Sequence, residues 1–156
     1  MTRLTHFALG LSLLGVFATT AMDSDVSEQG VLAVLEADKT HIFAADDVDL
    51  DDFAWVARPI VVFANSERDP AFTQQIELLS QRPLDLADRD VVIIVDTDQS
   101  GESELRTKLR PRGFMMVLIG KDGQVKLRKP LPWDVRELSR SIDKMHLRRQ
   151  EMRAGS

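Results

Sequence analysis

Ser66, Arg68 and Asp69 lie in a polar loop, "NSERDP", between an apolar run ending at Phe63 and a helix-like pattern over Ala71 to Gln81. Side chains of these types could supply a hydroxyl nucleophile, a cation for an anionic group and a carboxylate for proton transfer. The same loop also suits a scaffold role. Aspartate caps a helix, and Pro70 fits the first turn, where a missing amide hydrogen costs nothing. Arg68 is the residue that a cap leaves over, because a cation at the positive end of a helix is unfavourable unless a carboxylate or a bound anion compensates. Glu67 and Asp69 offer local compensation. With no cysteine in the chain, thiol chemistry is excluded here and everywhere else. A serine hydroxyl titrates far too high to stand in for a reactive thiolate.

Other cations extend the reading towards an anionic partner. Lys126, Arg128 and Lys129 fall on or just after a hairpin strand, and Arg149 and Arg153 lie near the end of the chain. Arg136, Arg140, Lys144 and Arg148 recur every fourth residue, which is one face of a helix and equally the pattern of a solvated side. The run Asp96, Asp98, Ser100, Gly101 begins like a calcium loop but ends on Thr107, where a bidentate glutamate is required, so it reads as an ordinary loop and helix start. Asp47, Asp49 and Asp51 lack the glycine turn as well. His41 and His146 have no neighbours at zinc-ligand spacing, and neither a G-x-S-x-G motif nor a phosphate loop occurs. These observations give no expectation of a cofactor, a metal or catalytic residues.

The elements that must position these residues follow from apolar patterning. Ile60–Phe63 and Val91–Val95 are apolar throughout, which suits parallel strands covered on both faces. A helix over 102–109 stops before Pro111. Phe114–Ile119, a "GKDG" turn and Val125–Leu127 read as a hairpin. Val135, Leu138, Ile142 and Met145 form the stripe of a final amphipathic helix. The order strand, helix, strand, helix, strand, strand, helix specifies an α/β sheet with an antiparallel edge and helices on both faces. Val61, Phe63, Val92, Ile94, Val117 and Ile119 are the expected core.

Ahead of this domain, Arg3, the apolar stretch Phe7 to Phe17 and "ATTA" resemble a secretory signal peptide over 1–21. Residues 22–53 read as an acidic arm, 54–150 as the domain and 151–156 as a tail. The formal charge of −5 makes nucleic acid a poor partner. The early apolar run is too short to cross a bilayer and no later stretch approaches it, so no membrane anchor is expected after cleavage.

The order of elements places the Ser66–Asp69 loop where the thioredoxin fold keeps its active site. Counting from Phe63, Arg68, Asp69, Pro70 and Ala71 occupy the window of the thioredoxin Cys-Gly-Pro-Cys, and only proline survives. "RGFMMVLIGKDGQV", Arg112 to Val125, runs parallel to the strand that carries the thioredoxin cis-proline, with Met115 in the proline's place. "LDDFAWVARPIVVFA", "GFMMVLIGKDGQVKLR" and "RRQEMR" together resemble domain of unknown function family 4174, a thioredoxin-like group of small secreted bacterial proteins and matrix proteins of the Dudes set. The resemblance implies a secreted thioredoxin-like domain and supplies no catalytic residues. The resulting expectation is a periplasmic or secreted, redox-silent binding module. Its partner is an unknown protein or anionic ligand, met by Ser66, Arg68, Asp69, Lys126, Arg128 and Arg149. The alternative is an enzyme using the non-thiol residues Ser66 to Asp69 with Lys126 or Arg128.

Overall fold

Residues 30–98 and 103–155 are described in a computed structural model of the chain. The expected signal peptide, the start of the expected arm, and Ser100 and Gly101 of the calcium-like run lie outside them. Five strands form one sheet: β1 (Ile42–Ala44), β2 (Arg58–Phe63), β3 (Val91–Asp96), β4 (Met115–Ile119) and β5 (Val125–Lys129), in the order β1-β3-β2-β4-β5. β1 and β2 both run parallel to β3, while β4 is antiparallel to β2 and β5 to β4. Because β2 is central, every residue of it is buried.

Alternation divides the buried residues between two cores. Val61, Phe63, Val92, Ile94, Val117 and Ile119 all belong to one cluster, completed by Phe43, Phe53, Leu105 and Leu109. Ile60, Val62, Ile93, Met116 and Leu118 belong to the other, with Leu79, Leu86, Val135, Leu138 and Ile142. The first face is covered by helix α1 (Val31–Ala37), two 3-10 turns (Ala45–Asp47, Leu50–Phe53) and α4 (Glu104–Leu109). The second is covered by α2 (Pro70–Ser80), α3 (Pro83–Ala87) and α5 (Val135–Asp143). Each large apolar side chain withdrawn from water here contributes about 1.5–3 kcal/mol before entropy is counted.

The segment read as an arm is part of the domain from Val31 onwards. β1 pairs with β3, and Phe43 and Phe53 meet edge to face at 5.9 Å inside the first core. A three-residue edge strand with one inward side chain is too short to show alternation in sequence. The segment read as a tail also differs, since α6 (His146–Ala154) runs through most of it. The single final helix divides at Met145, whose extended backbone (φ −66, ψ 142) ends one run and caps the next. The four-residue basic repeat is broken there, and Arg148 turns into ion pairs with Asp143 and Glu151.

Candidate functional site

The loop after β2 spends its polar atoms on its own fold. Ser66 Oγ accepts the Arg68 N–H at 3.1 Å, and the Asp69 N–H donates to the Ser66 carbonyl at 3.1 Å. Asp69 caps α2 by accepting the Ala71 N–H at 2.8 Å, with Pro70 in the first turn. No imidazole or carboxylate bonds Ser66 Oγ among the described residues. Its neighbour is an amide, which cannot act as a general base. Ser66 and Arg68 are exposed.

Beneath the loop is a buried polar cluster with no local sequence signature. Asp96, at the end of β3, is only 5% exposed. Its Oδ1 accepts Arg106 Nε at 2.7 Å and its Oδ2 accepts Ser103 Oγ at 2.6 Å. Arg106 also donates to the Ala64 carbonyl at 2.7 Å and stands 5.6 Å over the Phe63 ring. These bonds tie the ends of β2 and β3 to the start of α4 and fix the floor under Ser66. Asp96, which opens the calcium-like run, already has both oxygens engaged. The legible part of the signal was an acid closing an apolar strand; the ten-residue gap to Arg106 is not a motif.

Strand register shows which cations share this end of the sheet. Phe63 faces Met115, Met116 faces Lys129 and Val117 faces Arg128, so the Ser66–Asp69 loop and the 110–114 segment share one end of the sheet, with Lys129 and then Arg128 following inward on the edge strand. Arg128 Nη1 donates to the Leu109 carbonyl at 2.7 Å, at the negative end of α4. The adjoining Arg110 closes α4 in a left-handed conformation, φ 47. Arg112 is exposed two residues on. Among the described residues no carboxylate pairs with Arg68, Arg110, Arg112 or Arg128, whereas Arg58, Arg89, Arg106 and Arg148 are all paired. Lys129 Nζ lies 3.9 Å over the Trp133 ring.

Arg149 belongs to the opposite end, and Lys126 lies between, two residues before Arg128 on β5. Lys126 Nζ pairs with Asp122 at 2.6 Å across the β4–β5 turn. Arg149 is exposed on α6, a helix held against the start of β2. Six residues of β2 span about 20 Å, so the expected ligand residues spread out: Ser66, Arg68 and Asp69 just past the end of β2, Arg149 by its start, and Arg128 and Lys126 between them, two residues apart on β5. The far end has its own ion network. Lys121 Nζ bridges Asp90 at 2.7 Å and Glu151 at 3.0 Å, and Arg89 grips Asp143 at 2.9 and 2.8 Å.

Comparison with known proteins places this geometry in context. The profile of the family described as "Domain of unknown function (DUF4174)" matches residues 49–151. Coiled-coil domain-containing protein 80 of Danio rerio is 31% identical over 133 residues, covering 66% of this chain. The match spans only 15% of that protein's length. Among solved structures, reduced 2-Cys peroxiredoxin of Plasmodium vivax superposes with a TM-score of 0.52 at 15% identity, covering 67% of this chain and 85% of the other. Prx1a of Plasmodium yoelii gives 0.51 at 18% identity, covering 69% and 85%. At these identities the likeness is one of fold, and it is thioredoxin-like.

Proposed function

The chain belongs to the DUF4174 family, and on that premise we propose that it acts as an exported, redox-silent binding module for an anionic partner. The observation that carries this reading is the set Arg68, Arg110, Arg112 and Arg128. Arg68, Arg110 and Arg112 lie in segments at one end of the sheet, Arg128 reaches the second of these through the Leu109 carbonyl, and none has a carboxylate partner among the described residues. Arg68 stands beside the helix-start amides of α2, and the guanidinium groups without a carboxylate partner form a local positive field suited to carboxylate or phosphate groups. The absence of cysteine removes disulfide exchange, and Ser66 has an amide where a hydrolase would need a base. The same geometry does not favour the enzyme reading.

Export rests on the basic start, apolar stretch and small-residue end of residues 1–21. Mass spectrometry of the mature protein should find an N-terminus close to Met22, and a cytoplasmic chain starting at Met1 or Thr2 would overturn it. Binding is tested by titrating a glutamate-rich peptide and inorganic phosphate separately against wild type and an Arg68→Ala/Arg112→Ala/Arg128→Ala variant. Saturable binding to wild type that is lost in the variant supports the proposal. Equal affinity for both sinks it.

A further inference from the structure

We infer that a cavity of about 360 Å³ between α1 and the start of β3 binds a small, uncharged apolar molecule, such as a one- or two-ring aromatic or a short aliphatic chain. Its walls are Leu32 and Leu35 from α1, Val56 and Ala57 from the turn before β2, and Ala87 and Val91 from the α3–β3 connection. An apolar cavity of about 150 Å³ is enough to hold benzene, so this volume has room for a larger ligand. Most of the lining is apolar, with Glu36, Lys39 and Asp90 supplying its charged groups, so the inner wall offers water few of the two to four polar partners that each molecule needs.

Two further observations point to the same place. The α1 sequence "VLAVLEA" carries four branched aliphatic side chains, yet none of its residues is fully buried, and Leu32 is 45% exposed. Val31, Val34 and Leu35 pack against the first core, which leaves Leu32 as the exposed apolar side chain of the helix at the cavity. Trp55, one residue before the wall at Val56, has a left-handed backbone, φ 64, and its N–H donates to the Lys121 carbonyl at 2.7 Å. For a bulky residue that conformation is strained and persists only where surrounding bonds impose it. That bond fixes the turn that leads into the wall at Val56 and Ala57.

The rim indicates a neutral ligand. Glu36 and Lys39 are exposed and of opposite sign, and the Asp90 carboxylate already takes Lys121 at 2.7 Å. A charged ligand would lose its hydration without gaining a buried partner. The cavity lies at the β2 end opposite Arg68, so its occupancy is independent of the anion-binding proposal and should not respond to salt.

The test is titration of the full chain with indole and, separately, 1-decanol, followed by methyl NMR and thermal unfolding. Saturable shifts at Leu32, Leu35, Val56 and Val91, with the exposed Leu131 methyls unmoved, are expected. The unfolding midpoint should rise with probe concentration. Ala87→Leu, which fills the cavity, should weaken binding about tenfold or more. Should that variant fold poorly, Leu32→Ser at its exposed position tests the same wall. The inference is overturned by the absence of saturable shifts, by equal shifts at Leu131, or by unchanged binding in a folded variant. Nuclear Overhauser contacts to these methyls from residues before Gly30, or shifts that track self-association, would also overturn it, because the chain itself would then be the occupant.

Discussion

The side-chain amide of Gln75 pairs with both backbone polar groups of Trp133: Nε2 donates to the carbonyl at 2.9 Å and Oε1 accepts the N–H at 2.9 Å. Gln75 is fully buried, so one side chain on α2 satisfies both backbone groups of Trp133 in the segment that leads into α5. Gln75→Leu keeps the volume but leaves a donor and an acceptor without partners. It should cost about 2–4 kcal/mol in chemical denaturation, since each orphaned group loses about 1–3 kcal/mol less whatever water can reach. Gln74→Leu, at the exposed neighbouring position, should stay within about 0.5 kcal/mol. Equal stabilities for the two variants would remove the amide pairing from the account.

Arg58 and Glu151 join the first residue of the central strand to the last helix, 93 positions away, with Nη2 donating to both carboxylate oxygens at 2.9 Å. The Arg58 side chain is 1% exposed, and its other contacts are the Arg89 carbonyl at 2.7 Å and Asp90 at 3.8 Å. Removing the carboxylate strands a buried cation, so Glu151→Ala should destabilise by about 3 kcal/mol. The double variant Arg58→Met/Glu151→Leu should recover much of that loss, because an apolar pair of similar volume carries no desolvation cost. Urea midpoints of wild type, Glu151→Ala, the single variant Arg58→Met and the double variant decide the matter. Additive losses in the double variant would show that packing of α6, not the ion pair, matters.

The same pair sets an acid limit. Burial alone would raise the Glu151 carboxyl, but hydrogen bonds from Lys121 and Arg58 outweigh it and hold the group below its ordinary 4.5. A carboxylate depressed on folding adds stability that is fully present above its unfolded value and is lost as pH falls through the folded one. Asp122 acts in the same direction, lowered chiefly by its hydrogen bond with Lys126. Stability should therefore fall as pH drops from about 4.5 downwards, and Glu151→Gln should flatten that fall. Denaturation midpoints from about pH 6 to about pH 3 test it, and parallel curves for variant and wild type would contradict it.

Strands that are apolar at every position announced the sheet, because only a layer covered on both faces tolerates such runs. β2 nevertheless begins two residues before the legible run, at Arg58 and Pro59. A buried arginine is rare and a proline usually marks an edge, so both residues argued against the strand that contains them. What admits them is non-local: Glu151 and the Arg89 carbonyl take the charge of Arg58, and the ladder to β4 starts only at Ile60. The candidate site was half legible for the same reason. Asp69 and Pro70 speak through their immediate neighbours, whereas the grouping of Arg68 with Arg128, and the separation of both from Arg149, depends on strand register.

That register gives the binding prediction its controls. If Arg68 and Arg128 receive an anionic group together, Arg68→Ala should weaken capture of a glutamate-rich peptide by about 1.5–3 kcal/mol, the worth of a hydrogen bond to a charged group. Stability should hardly move, because Arg68 is exposed and packs against little. Arg128→Ala should weaken binding too, with a small loss of stability from the Leu109 carbonyl it releases. Arg149→Ala and Arg140→Ala change the net charge equally but act away from the loop, one on α6 at the far end and the other on the exposed side of α5. Both should bind like wild type. Asp69→Ala separates scaffold from ligand: losing the cap of α2 should cost about 1 kcal/mol of stability, while removing a negative charge beside Arg68 leaves binding equal or stronger. Moderate salt should weaken the wild-type complex more than the Arg68→Ala complex, since the variant has one fewer charge to screen. If all four arginine variants lose affinity equally, binding reads net charge and not this end of the sheet. If none does, the loop is only a helix cap, and Arg68 joins Asp69 and Pro70 as scaffold.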